Sequence, residues 1–226
     1  MPLRVLNERN RGGSYLGAIL VGTGLFAMFL FLSIYFQSFL HYSSLRSGFA
    51  FLPFSAGVIV FAGVASQLLP KVGPRPLMVV GLLMGAGGLL LLSNITPESS
   101  YTKNILPAII MSTGLALFFI PSASTGLHNA GEHDAGVASA MLNTSQQIGG
   151  SLGAALLNTV AISSSAAFAK SHTALGAKLA PTAAVHGFAA TFKIGAAFLL
   201  LAAIVSALMI NVGKDSLTEN ESGALI

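Results

Sequence analysis

The 226-residue chain contains no cysteine. That absence excludes a disulfide framework, a thiolate metal site and a cysteine nucleophile. Charge is scarce as well: 8% of the residues are Asp, Glu, Lys or Arg, against about 25% in a soluble domain of ordinary composition. With 54% hydrophobic residues and a mean hydropathy of +0.78, the chain reads as an all-α integral membrane protein. The formal charge of +4 comes from 11 basic and 7 acidic residues scattered between apolar runs. No dense basic cluster is present, so nucleic acid is not an expected partner. Lys193 apart, no ionisable side chain falls inside an apolar run, so the chain lacks the membrane-embedded carboxylate relay usual in ion-coupled carriers.

What the sequence does hold is six apolar runs, each near the roughly 20 residues that a helix needs to cross the hydrocarbon core. They predict spans at about 15–37, 47–69, 76–93, 105–127, 136–161 and 188–211, with an N-terminal segment over 1–14 and a tail over 212–226. The first run exceeds the roughly 7–15 apolar residues of a signal-peptide core, so it is expected to stay in the membrane. Pro53 predicts a bend in the second span. The link PKVGPRP is too short and too rich in proline to be other than a tight turn, and it carries Lys71, Gly73 and Arg75. Gly81, Gly85, Gly87 and Gly88 in the third span form a small-residue pattern that suits close helix packing. Residues 162–187 read as a solvent loop with one short interfacial helix. Lys193 lies about one turn inside the last span, shallow enough for its ammonium to reach the interface.

An even number of spans puts both termini on one side. Arg4, Arg9, Arg11, Lys71, Arg75 and Lys214 lie on that side, against Arg46, Lys103, Lys170 and Lys178 on the other. The bias points to cytoplasmic termini in a multi-pass protein of the cell membrane.

Three spans carry polar faces. In the fifth, Asn143, Gln146, Gln147, Gly150, Ser151, Ala154 and Asn158 share one arc of a helix, with Leu142, Leu152, Leu156 and Val160 opposite. Amides are costly in hydrocarbon unless water or a hydrogen-bonding group meets them. They therefore face either a cavity or the polar groups of neighbouring helices. Thr23, Phe26, Leu30, Ser33 and Gln37 form a mixed stripe on the first span, suited to a drug-sized cavity or to packing. Phe118, Pro121, Ser122 and Thr125 form another on the fourth, where proline also predicts a kink.

Enzymatic chemistry finds little support. Gly149-Gly150-Ser151-Leu152-Gly153 matches the serine-hydrolase pattern G-x-S-x-G, which needs a strand, a sharp turn and a helix, whereas here it lies within a span. An intramembrane hydrolase using Ser151 stays a remote alternative, since His41, His128, His133, His172 and His186 all fall in links or at span ends. His128, Glu132 and His133 fit neither H-E-x-x-H nor H-x-x-E-H, so no metal and no cofactor is expected. Asp134 has the simpler role of a carboxylate at a helix N-terminus.

With these residues in view, the sequence resembles the C-terminal half of the fourteen-helix drug:proton antiporters of the major facilitator superfamily, the EmrB/QacA-like proteins. The resemblance rests on MPLRVLNERN, SGFAFLPFSAGVIV, LLPKVGPRPLMVVGLL and, above all, GEHDAGVASAMLNTSQQIGGSLGAALLNTVA. It implies that the six spans are the last six of that fold, a 3+3 inverted repeat with the PKVGPRP turn on the cytoplasmic side. It places Asn143, Gln146 and Gln147 near a cavity for apolar, often cationic small molecules moved by alternating access. The family's coupling residues usually lie in the N-terminal half, so proton coupling is expected only together with that half. The expected partners are the lipid bilayer and an N-terminal half, this chain being a truncated gene product or a piece of a longer one. The alternative is a self-standing half that works with a second copy or with a separate N-terminal half.

Overall fold

The computed structural model describes residues 9–127 and 132–211. Arg4, His128, the tail 212–226 with Lys214, and the side chains of Glu132, His133 and Asp134 lie outside the described residues, and with them the capping role expected of Asp134. The described elements are all helical: α1 (Arg9–Ser38), α2 (Ser44–Ala50), α3 (Leu52–Val72), α4 (Pro74–Leu92), α5 (Tyr101–Leu127), α6 (Glu132–Ser171) and α7 (Leu179–Met209). A 3-10 turn at Thr173–Lys178 precedes α7. Counting Ser44–Val72 as one crossing, six segments are long and apolar enough to span a membrane.

The breaks follow local chemistry. The second crossing divides at Phe51, just before Pro53, whose missing amide hydrogen is tolerated in the first turn of α3. A single residue, Gly73, separates α3 from α4; its φ of 86° is a conformation that glycine adopts without a side-chain clash.

α3, α5, α1 and α6 pack side by side in that order. α4 and α7 form a second layer, packed on each other and on α5 and α1 respectively. Exchanging the set α1, α3, α4 with the set α5, α6, α7 carries the α1–α6 contact onto α5–α3 and the α1–α7 contact onto α5–α4. Because each set crosses an odd number of times, the two run in opposite directions, which is a 3+3 inverted repeat.

Glycines set the closest approaches between α4 and α5. A Cβ on Gly81 would run into the Gly114 carbonyl, and one on Gly88 would stand 2.9 Å from the Pro107 carbonyl oxygen. Gly87, by contrast, faces open space and takes no part. The interior between the layers is filled by Phe31, Tyr35, Phe36, Phe118, Phe192 and Met28, all essentially inaccessible. At the end where α1 begins and α7 finishes, the Arg9 guanidinium donates to the Leu208 carbonyl, and the Asn211 amide donates to Asn10 Oδ1 at 2.7 Å.

Two expectations need correction. Residues 162–187 are not a loop: α6 continues to Ser171 and α7 starts at Leu179. The stretch is rich in alanine, the strongest helix former, and its only glycines are Gly176, with φ 54°, and Gly187. Pro181 sits in the first turn of α7, where its amide has no partner to lose. At 40 residues, α6 is about 60 Å long, roughly twice the thickness of a hydrocarbon core of about 30 Å. α6 and α7 thus leave the bilayer as a helical hairpin. Phe168 clamps it, its ring stacked on His172 at 4.0 Å and on His186 at 4.6 Å. The second correction concerns Arg11, assigned by sequence to a flanking segment. α1 begins at Arg9, so Arg11 lies inside the helix and is only 6% exposed.

Candidate functional site: the open side of α6

α6 is seated on α1 by its glycines. A Cβ on Gly149 would collide with the Ile19 carbonyl, and one on Gly153 would stand 2.9 Å from the Thr23 Cα. From the other helix, a Cβ on Gly22 would lie 2.6 Å from the Gln146 carbonyl oxygen. The Thr23 hydroxyl lies 3.0 Å from the Gly149 carbonyl oxygen and 3.2 Å from that of Ile19. This seating fixes the rotation of α6, with Leu142, Gly149, Gly153 and Leu157 turned inward.

The rest of the helix is open. Only 17% of its most apolar window is buried, the same as for the second crossing, against 50 to 67% for α1, α4 and α5. Asn143, Gln147, Ser151 and Asn158 are all exposed, and Gln146 is half-buried. At about 100° per residue, the four exposed side chains occupy an arc of about 80°. Ile148 and Leu152 continue the exposed surface, whereas Asn158 and Ile162 line a groove of about 470 Å³ together with Phe31 and Ile34 of α1 and Ala183 and Phe188 of α7. The polar arc borders α1, where the Phe26 ring lies 4.0 Å from the Cβ position of Gly150. Phe26, Leu30 and Ser33 are half-buried and Gln37 is exposed, its Nε2 donating to Ser33 Oγ at 3.1 Å.

The structure thus brings Phe26 to Gly150 at the edge of the α6 polar arc, whereas Ser33 and Gln37 lie further along α1, bonded to each other. It does not bring the other candidates there. Thr23 is 3% exposed and engaged between helices. Phe118 and Ser122 are 0% and 2% exposed, inside the bundle. The Phe118 ring packs 3.3 Å from the Cβ position of Gly17. The hydroxyls of Ser122, Thr125, Ser14 and Ser206 are buried with no hydrogen-bond partner among the described residues. The turn residues Lys71 and Arg75 are exposed and Gly73 is buried, at the end of the bundle where α1 begins. Ser151 sits in the middle of a continuous helix, its hydroxyl donating to the Gln147 carbonyl at 2.9 Å, so no nucleophile elbow forms. No cluster of three metal-ligating side chains occurs among the described residues.

Sequence reasoning missed two residues that the structure makes prominent. The Tyr35 hydroxyl lies 2.8 Å from the carbonyl oxygens of both Thr96 and Ser99, which ties α1 to the link between α4 and α5. Asn104, just outside the fourth span predicted over 105–127, belongs to the first turn of α5 and is 1% exposed. A phenol near the end of an apolar helix was a usable signal; for Asn104 the sequence offered none.

Comparison with known proteins agrees with this architecture. The model of the Major Facilitator Superfamily matches residues 4–154. The puromycin resistance protein of Streptomyces alboniger is 37% identical over an alignment of 230 residues, which covers 100% of this chain and 45% of that protein. The cephamycin export protein of Amycolatopsis lactamdurans is 35% identical over 162 residues, covering 71% of this chain and 33% of its own. A solved bacterial homologue of the human drug peptide transporters superposes with a TM-score of 0.73 over 96% of this chain and 47% of its own, at 15% identity, a likeness of fold alone. The chain spans less than half the length of each of these proteins.

Proposed function

This chain belongs to the Major Facilitator Superfamily, and from that membership we propose that it serves as the C-terminal half of a fourteen-helix, EmrB/QacA-like multidrug efflux carrier. In this reading its activity is transmembrane transport rather than catalysis. The observation that carries the proposal is the open side of α6: a row of amides and a serine, exposed beside Phe26, on one of the two least buried crossings. Six helices leave that row and the outer side of α3 uncovered. A second six-helix body set against α3, α5, α1 and α6 would cover the apolar parts and enclose the polar row in an alternating-access cavity.

The chemistry of the row suits apolar compounds that carry a cation or hydrogen-bonding groups. Carbonyl oxygens of Asn143, Gln147 and Asn158 accept hydrogen bonds, and the Phe26 ring offers an apolar and cation-attracting surface. Proton coupling falls to the partner half in this reading, since the acidic residues of this chain lie in its links and ends. The same reading sets the chain in the cell membrane with its termini and the Lys71–Arg75 turn in the cytoplasm.

The test is Gln147→Leu in the complete carrier. Export of some compounds in a panel of apolar cations should change while the amount of protein in the membrane stays the same. An unchanged export profile across the panel would remove Gln147 from the cavity.

A further inference from the structure

The link between α4 and α5 lies at the end of the bundle opposite the start of α1 and is well ordered by its own hydrogen bonds. The Thr96 amide donates to Ser99 Oγ at 2.9 Å and the Ser99 amide to the Thr96 carbonyl at 3.0 Å. Three of the four tyrosines of the chain gather at this end. Tyr35 binds the link, Tyr101 donates to the Ala50 carbonyl at 2.8 Å, and Tyr42 lies 4.0 Å beneath the Arg46 guanidinium. Tyrosine favours the level of the lipid headgroups, so this end of the bundle sits at the membrane interface.

A cavity of about 260 Å³ opens here between α4 and α5, lined by Leu91, Asn94, Lys103, Asn104, Leu106 and Pro107 among others. It is smaller than the roughly 300–1,000 Å³ of a drug-sized site. Asn104 is 1% exposed, yet neither its Nδ2 nor its Oδ1 has a hydrogen-bond partner among the described residues. A buried carboxamide left in that state is destabilising unless something else supplies both an acceptor and a donor. Lys103 is exposed beside it, whereas Glu98, in the same link, does not line the cavity. Leu91 and Leu106 are 47% and 62% exposed, so the apolar walls open sideways towards hydrocarbon.

We propose that this cavity binds the headgroup of an anionic, hydroxylated phospholipid, with Asn104 and Lys103 as its recognition residues. A phosphate oxygen accepts from Lys103 Nζ and from Asn104 Nδ2, a headgroup hydroxyl donates to Asn104 Oδ1, and an acyl chain runs along Leu91 and Leu106. A phosphatidylglycerol headgroup offers both the charge and the hydroxyl. Phosphatidylcholine offers neither net charge nor a donor.

The test is native mass spectrometry of the purified full chain with phosphatidylglycerol or phosphatidylcholine, comparing the wild type with Asn104→Leu and Lys103→Gln. Phosphatidylglycerol should bind the wild type in preference to phosphatidylcholine. Each substitution should weaken that binding about tenfold, the effect of one charge-assisted hydrogen bond. Lys103 is exposed, so its variant keeps the test valid if Asn104→Leu fails to fold. Equal binding by all three proteins, or no preference between the lipids, would overturn the assignment. Displacement of phosphatidylglycerol by water-soluble glycerol 3-phosphate at matched concentration would reassign the site to a free phosphate ester and overturn the lipid.

Discussion

At the scale of single residues, the contact between α1 and α6 depends on atoms that are missing. Gly149 leaves room for the Ile19 carbonyl, and no rotamer change can make space for a side chain against backbone. Gly149→Val should therefore destabilise the protein by about 1–3 kcal/mol, seen as a lower melting temperature in detergent, whereas Gly87→Ala, inside α4 but facing open space, should leave it as stable or slightly more so. Equal effects at the two positions would refute the packing account. Tyr35→Phe removes one hydroxyl shared by two carbonyls and should cost about 1 kcal/mol. Its signature is faster amide exchange in residues 96–101 with little change elsewhere. Gly149 and Gly153 stand four residues apart, a G-x-x-x-G spacing that suits close helix packing and is legible in the sequence. The destination of Thr23 was not readable, because periodicity states where a residue lies around its own helix and not which neighbour occupies that direction. Phe118 and Ser122 ended in the interior for the same reason.

At the scale of elements, proline and glycine announced the breaks: Pro53 marks the division of the second crossing and Gly73 the reversal from α3 to α4. The hairpin of α6 and α7 was missed because hydropathy locates the edge of the hydrocarbon, while helix length depends on backbone propensity. An alanine-rich stretch stays helical after it has stopped being apolar. Its stability beyond the membrane rests on local contacts such as the stack of Phe168 between His172 and His186. Phe168→Ala should raise amide exchange across 165–186 while leaving 136–158 of α6 protected. Uniform protection in the variant would show that the stack contributes nothing.

At the scale of the whole molecule, six helices form one inverted-repeat body with a well-filled interior and two crossings left largely bare. The number of crossings and their membrane character follow from six apolar runs, which hydropathy reads well. Which side of α6 would remain open could not be read, since that depends on the seating of Gly149 and Gly153 against α1. The account's central claim is that the row Asn143, Gln147, Ser151 and Asn158 lines an aqueous transport route in the assembled carrier. Because this chain has no cysteine of its own, cysteines can be placed one at a time in it. The decisive measurement is the rate at which a water-soluble, membrane-impermeant maleimide labels Gln147→Cys in an exporting carrier, with Leu152→Cys as the reference on the apolar side. The account predicts rapid labelling of Gln147→Cys, slowed by an exported cation such as tetraphenylphosphonium, and little labelling of Leu152→Cys. Labelling of Gln147→Cys no faster than that of Leu152→Cys, in a carrier that still exports, would contradict it.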